Sequence, residues 1–331
     1  MQGRRIPCDP PALPRYSALW RRLSGDCPII VRCLLRGSCR SMGDMKGFAP
    51  MSLHDMPTMF DDVDLARVRI VASDMDCTLL ADDGSMPPGM SERIEALARA
   101  GIVFCAASGR PLYTLKDMFA SHLDQMALIA DNGAAIWANG RLAYKDLIDP
   151  PTYHELIDFT LDDGRGRPVL CGTESAFLLE CDRVYDDFFR RFFTKIEYVD
   201  TFAGLDAEAD KYTVYFPDRM AEEVYAQTYR DAWGERFSVT NAGKEWIDFM
   251  NKHVDKGTGI TRLCECLGVP VADALALGDT YNDVQMLEAV GHSYVVANAE
   301  DHMRAHARFV APSNNERGVA QVIDRLLEIA C

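Results

Sequence analysis

An α/β fold is predicted for this chain of 331 residues: a parallel sheet with helices on both faces, interrupted by an inserted α+β module. Three observations predict it. Apolar runs rich in Val, Ile and Ala alternate with helix-spaced segments between residues 68 and 135. The same alternation resumes near residue 250. The stretch between them, of about a hundred residues and so of small-domain size, carries shorter alternating segments.

The run 68–73 ends in Ser73-Asp74, with Asp76 and Thr78 just beyond, and its composition predicts a buried strand. Met90, Ile94, Leu97 and Ala98 follow helical spacing, and Gly101 is placed to end that helix. A second strand, 102–107, ends in Ser108-Gly109-Arg110-Pro111, and Pro111 suits the first turn of a helix reaching Phe119. A third, 126–130, ends in Asp131-Asn132-Gly133-Ala134. This succession is the mark of a parallel sheet with right-handed crossovers. From 136 to 249, strand-like segments at 141–147, 169–179, 212–217, 237–240 and 246–250 are separated by helix-like ones at 151–161, 183–194 and 219–233. Asp255 then caps a helix over 256–267, with Ile260, Leu263, Cys264 and Leu267 on one face and Gly268 at its end. A fourth strand at 273–277 leads into Gly278-Asp279, followed by a helix over 282–290, a fifth strand at 293–297 and a closing helix over 316–330. The expected division is an extension over 1–60, a core formed by 61–135 and 250–331, and an insert over 136–249.

Hydrophobic residues make up 48% of the chain, enough for a sizeable core. The net charge of −15 argues against a protein that tracks nucleic acid or binds an anionic membrane surface. That charge is uneven. Residues 1–60 hold nine Lys and Arg against four Asp and Glu, whereas 61–331 hold 26 against 46. The first sixty residues also carry Pro7, Pro10, Pro11 and Pro14 and no sustained period, so the expectation is a basic, disordered extension lacking a fold of its own, of the kind translated from upstream of a true start. The 11 cysteines include no close C-x-x-C pair, which disfavours a zinc site or a disulfide framework and fits a reducing cytoplasm. No apolar stretch approaches the length of a membrane span. The sequence carries no signal of oligomeric state.

Open parallel sheets hold their chemistry just beyond the carboxyl ends of the strands. Asp74 and Asp76 are expected there. Two carboxylates in close approach repel unless a cation lies between them, and a divalent metal with oxygen ligands is the usual one. Such a pair also suits a two-step displacement, with one carboxylate as nucleophile and the other as acid and base. Four separated segments place polar residues at the same edge: Asp74, Asp76 and Thr78; Ser108 and Gly109; Asn132 and Gly133; and Asp279 with Asn282 and Asp283. Lys256 joins them from a helix start. Each alone reads equally as an ordinary turn or a solvated side chain; it is their coincidence in order that points to a site.

These segments resemble the haloacid dehalogenase superfamily and, within it, the Cof-type hydrolases. Asp74-Met75-Asp76-Cys77-Thr78 matches the first motif, D-x-D-G-T, except that Cys77 replaces its glycine. Ser108 to Pro111 match the second motif, Lys256-Gly257 the third, and Gly278 through Leu287 the fourth, Gly-Asp-x-x-Asn-Asp-x-x-Met-Leu. Asn132-Gly133-Ala134 matches the Cof-type addition. The resemblance implies a Rossmann-like core with a large inserted cap, and Mg²⁺-dependent hydrolysis of a small phosphorylated metabolite such as a sugar phosphate, nucleotide or cofactor phosphate. It implies Asp74 as nucleophile, with Asp76, kept protonated by its like-charged neighbour and the approaching phosphate, as acid and base. Magnesium would be held by Asp74, Asp76 through its carbonyl, Asp279 and, through water, Asp283. Ser108, Gly109, Lys256 and Asn282 would bind phosphoryl oxygens, with Asn132 and Arg110 near the phosphate or leaving group. A phosphomutase on the same scaffold and a non-catalytic binding protein are the alternatives. In the insert, Glu180, Lys211 and Glu245 stand beside expected strands and read best as solvated; His302 and His306, four apart, read as an exposed charged face rather than a metal pair.

Overall fold

The apolar runs become strands in the computed structural model, which describes residues 52–330. They are β1 (Ile70–Ser73), β2 (Val103–Ala107), β3 (Met126–Ala130), β4 (Ala135–Ala138), β5 (Arg141–Lys145), β6 (Arg167–Gly172), β7 (Ala176–Leu179), β8 (Ile196–Val199), β9 (Ala209–Tyr215), β10 (Phe237–Asn241), β11 (Trp246–Asn251), β12 (Ala274–Gly278), β13 (His292–Val296) and β14 (Phe309–Ala311). The main sheet runs β14-β13-β12-β1-β2-β3-β4-β5, parallel from β14 to β3 and antiparallel beyond. β1 lies between β12 and β2, and all four of its residues are buried, as an inner parallel strand requires. Helices cover both faces: Met90–Arg99 packs with Gly318–Ala330, and Lys256–Leu267 packs with Val284–Ala289.

The insert folds around a second sheet, β10-β11-β9-β6-β7-β8, antiparallel except for β7 with β8. Helix Pro150–Asp163 starts on the side chain of Asp149, which accepts from the Thr152 amide at 3.2 Å, and buries Tyr153, Leu156 and Ile157 against Leu170, Tyr212 and Phe249. On the other side a smaller apolar cluster joins Val169, Cys171, Phe189 and Trp246 of the insert to Tyr113 of the core.

Two expected boundaries move. The insert was expected from residue 136, but β4 and β5 belong to the main sheet, with Ile136 paired to Ile129 and Tyr144 to Ile136. The change of texture that marks the insert begins inside the core, because a hairpin on the edge of a parallel sheet needs no helical crossover. The extension was expected to reach residue 60, but Met56 and Met59 are buried in the main core and the Val310 amide donates to the Pro57 carbonyl at 2.8 Å. Just beyond, Asp62 accepts from Tyr294 Oη at 2.7 Å and lies 2.8 Å from His292 Nδ1. The rest of the expected extension, 1–51, lies outside the described residues. In the insert the helix expected over 183–194 is a 3₁₀ segment (Glu180–Tyr185) and one α-turn (Asp186–Phe189).

Immediately after β1 the chain makes a wide turn, with Leu79 and Leu80 donating to the carbonyls of Asp74 and Met75. Cys77, standing where the motif has glycine, adopts φ +60°, ψ 5°. A side chain there is strained by about 1–2 kcal/mol relative to ordinary conformations. Replacing Cys77 by Gly relieves that strain but loosens the unfolded chain, so Cys77→Gly is expected to raise stability by about 0.5–1 kcal/mol. A urea midpoint that stays put or falls contradicts this.

Candidate active site

Sheet register decides which side chains meet. Ser73 is level with Ala106 on one side and Leu277 on the other, so the chain leaves β1, β2 and β12 at the same edge. Asp74 follows β1, its amide donating to the Leu277 carbonyl at 3.0 Å. Ser108 and Gly109 follow β2, Asn132 follows β3, and Asp279 follows β12. The Lys256–Leu267 helix is started by a reciprocal cap, Asp255 accepting from the Thr258 amide at 2.7 Å while Thr258 Oγ1 accepts from the Asp255 amide. This sets Lys256 as its first residue, pointed into the cluster.

At the centre, Lys256 Nζ lies 2.5 Å from Asp74 Oδ1 and 2.6 Å from Asp283 Oδ1. Asp283 Oδ2 accepts from the amides of Asp279 (3.0 Å) and Thr280 (3.2 Å), so one carboxylate fixes both the lysine and the turn after β12. A side chain at Gly278 would collide with Asp283, its Cβ coming within 2.5 Å of the Asp283 Cβ. Thr78 donates to Asp279 at 2.7 Å. Asp74, Asp279 and Asp283 each present an oxygen within 4.8 Å of the others, an arrangement that could hold a metal ion.

Three carboxylates around one ammonium leave an excess of negative charge. Burial pushes the Asp74 carboxyl well above the usual range, against the pull of Lys256, and the charges of Asp283 and Asp279 push it further. Asp279 is pushed up to about 6 by burial and by Asp283. Burial works against the Lys256 ammonium, but Asp283 and Asp74 outweigh it and its pKa is raised.

A cavity of about 400 Å³ opens over this cluster, lined by Asp74, Asp76, Ser108, Gly109, Arg110, Asn132, Asp279 and Asn282 from the core. Of the expected residues, those eight share one space. Asn282 Nδ2 donates to Asn132 Oδ1 at 3.1 Å, linking two strand tips. Two of the expected residues have partners that the sequence did not reveal. Lys256, expected to bind phosphoryl oxygens, is fully buried, its ammonium held between Asp74 and Asp283 beneath the cavity. Asp76, expected to act as acid and base beside a like-charged neighbour and the approaching phosphate, accepts from both Nη2 (2.6 Å) and Nε (3.0 Å) of Arg110.

The opposite wall comes from the insert: Phe192, Lys211, Thr213, Trp246 and Asp248 among others. Lys211 was expected to be solvated. It is buried, 2.9 Å from Asp131 Oδ1, and its Nζ donates to the Gly109 carbonyl at 2.5 Å. Burial lowers the Lys211 pKa, but Asp131 and Asp248 outweigh it and the ammonium stays charged. The insert also meets the core where Arg110 Nη1 donates to the Arg191 carbonyl (3.2 Å) and Thr114 Oγ1 to that of Phe192 (3.0 Å). A charged pair inside an otherwise apolar strand, Asp210-Lys211, was the signal for this contact. Glu180 and Glu245 do pair at the surface, with Arg183 (2.6 Å) and Arg219 (2.5 Å). His302 and His306 lie on a 3₁₀ segment and engage different neighbours, His302 stacking on Tyr281 and His306 meeting Glu288.

Residues 71–323 match the haloacid dehalogenase-like hydrolase family. Escherichia coli 5-amino-6-(5-phospho-D-ribitylamino)uracil phosphatase YbjI is 27% identical over 266 residues, covering 79% of this chain and 97% of that protein. The Bacillus subtilis protein of the same activity, YwtE, is 26% identical, covering 78% of this chain and 98% of its own. In structure, SMU.1108c from Streptococcus mutans superposes with a TM-score of 0.72 at 28% identity, covering 79% of this chain and 99% of that one. The resemblance carried by the motifs therefore holds: this chain belongs to the haloacid dehalogenase-like hydrolases, of the Cof type.

Removing one partner of a buried ion pair leaves the other charge without compensation. Lys211→Met is expected to lower stability by about 3 kcal/mol. A denaturation midpoint within error of the wild type would show that the Lys211–Asp131 pair does not hold the insert to the core.

Proposed function

We propose that this protein is a Mg²⁺-dependent phosphatase of small phosphorylated metabolites, working through an aspartyl-phosphate on Asp74. The observation that carries the reading is the Asp74 carboxylate, open to the cavity on one side and held from behind by Lys256. The donor set of Asp74, Asp279 and Asp283 suits a hard divalent cation, all oxygen and in excess negative charge. When bound there, the metal supplies charge that lets an anionic nucleophile meet an anionic ester and steadies the transferring group.

The chain's own residues do the rest. Lys256 fixes the orientation of Asp74 and favours its ionised form. A carboxylate oxygen of Asp74 forms a bond to phosphorus as the bond from phosphorus to the leaving oxygen breaks. Asp76 gives that oxygen a proton, then takes one from the water that attacks the phosphorus, and inorganic phosphate departs as Asp74 is released. For Asp76 to carry a proton, Arg110 must give up its hold on the carboxylate, and an arriving phosphate is the natural partner for a freed guanidinium. Ser108, Gly109 and Asn282 line the space where phosphoryl oxygens would sit, with Asn132 beside them. Asp283 braces the metal site through the Asp279 amide.

The likeness to two relatives named for a ribitylamino-uracil phosphate supports a sugar-like or cofactor-precursor ester as substrate. A cytoplasmic setting accords with free thiols at Cys105, Cys171 and Cys264 in apolar surroundings. Among the described residues no helix is long and apolar enough to cross a membrane.

Asp74→Asn is expected to abolish phosphate release from p-nitrophenyl phosphate while leaving the fold intact by circular dichroism; retained turnover removes Asp74 from the nucleophile role. Asp279→Ala is expected to raise the Mg²⁺ concentration needed for half-maximal rate at least about tenfold, and an unchanged requirement contradicts the ligand set.

A further inference from the structure

On the insert's side of the cavity, three strands lie edge to edge. Asp248 on β11 is level with Thr213 on β9 and with Thr240 on β10, and all three line the cavity. Two residues earlier on the same strand face, Trp246 adds a flat apolar wall, and Phe192 lies against it with ring centroids 5.5 Å apart.

Within this wall Asp248 is anomalous. It is only 7% exposed, and its compensation is electrostatic, from the charge of Lys211, with no donor at hydrogen-bond distance from its carboxylate among the described residues. The nearby cation, Lys211, is engaged by Asp131 and by the Gly109 carbonyl. The hydroxyl of Thr213 is turned to the Ile247 carbonyl at 3.1 Å. A buried carboxylate without hydrogen-bond donors is costly unless something supplies them, and this one lines the cavity. A site built to satisfy such a group by hydrogen bonding discriminates strongly, because a ligand lacking the donors leaves it unpaired.

We propose that Asp248 is a specificity-determining residue: it accepts hydrogen bonds from hydroxyl or amino groups on the alcohol portion of the ester and turns away esters whose alcohol portion carries a second negative charge. This rests on the phosphatase reading above, in which Asp74 and its neighbours hold the phosphoryl end and the insert's wall receives the leaving group. Trp246 and Phe192 admit an apolar or flat part of the same leaving group beside the donors. The selected class is a neutral or cationic phosphate monoester rich in hydroxyl or amino donors, as against sugar-acid phosphates and bisphosphates.

The test compares kcat/KM for a hexitol 6-phosphate and for 6-phosphogluconate, each expressed relative to p-nitrophenyl phosphate hydrolysis by the same protein. The wild type is expected to prefer the hexitol ester by about tenfold or more, and Asp248→Asn to shrink that preference by about tenfold, chiefly through KM. Asp248→Ser carries the same expectation, so a folding defect in one variant leaves the other to decide. A wild type with no preference between the pair, or a ratio unchanged in both variants while p-nitrophenyl phosphate is still hydrolysed, overturns the role of Asp248 and leaves the phosphatase reading standing. Failure of the wild type on every phosphate ester overturns that reading, and this one with it.

Discussion

The site depends on a single buried ammonium. Lys256 Nζ bridges Asp74 at the end of β1 and Asp283 beyond β12, and through Asp283 it also holds the turn that presents Asp279. Buried ions are expensive to desolvate, and such a contact is sustained only when the remaining hydrogen bonds are made. Here they are: Asp283 accepts from two amides as well as the lysine. The arrangement still carries more negative than positive charge, and burial, reinforced by that excess, drives the Asp74 and Asp279 carboxyls above their usual range. A divalent cation among these oxygens would relieve that imbalance, so the electrostatics of the apoprotein and the proposed chemistry point the same way.

A second buried cation joins the two sheets. Lys211 reaches from β9 of the insert to Asp131 and to the carbonyl of Gly109, in the loop proposed to receive phosphate. The insert is thereby tied to the loop that it covers, and the wall bearing Trp246 and Asp248 shares one cavity with Asp74. Burial of the reacting groups under such a cover excludes water and strengthens each electrostatic contact inside.

Much of this was legible in the sequence. Buried parallel strands announce themselves as continuous apolar runs, and the polar residues at their ends are conspicuous against them; Asp74, Ser108, Asn132 and Asp279 could be placed on one edge for that reason. Contacts between distant elements were not legible. Lys211 looked like a solvated lysine because, although the charged pair Asp210-Lys211 hints at a partner, nothing local reveals Asp131, which lies in the turn after β3 of the main sheet. The boundary of the insert was misplaced because β4 and β5 have the antiparallel texture of the insert while pairing with β3. Lys256 could be placed at the same edge, but its depth was not readable: how far a lysine is buried depends on the two carboxylates that meet it in space. The glycine-like backbone of Cys77 was foreseeable from the motif, and the structure keeps that conformation despite the side chain.

The central claim is that Asp74 is the atom donor to phosphorus. Borohydride reduction during turnover of a phosphate ester with Mg²⁺, followed by peptide mass spectrometry, tests it most directly, since an acyl phosphate is reduced where a free carboxylate is not. The expected result is homoserine at position 74, dependent on both ester and metal. Reduction at another residue, or at none while phosphate is being released, would contradict the account.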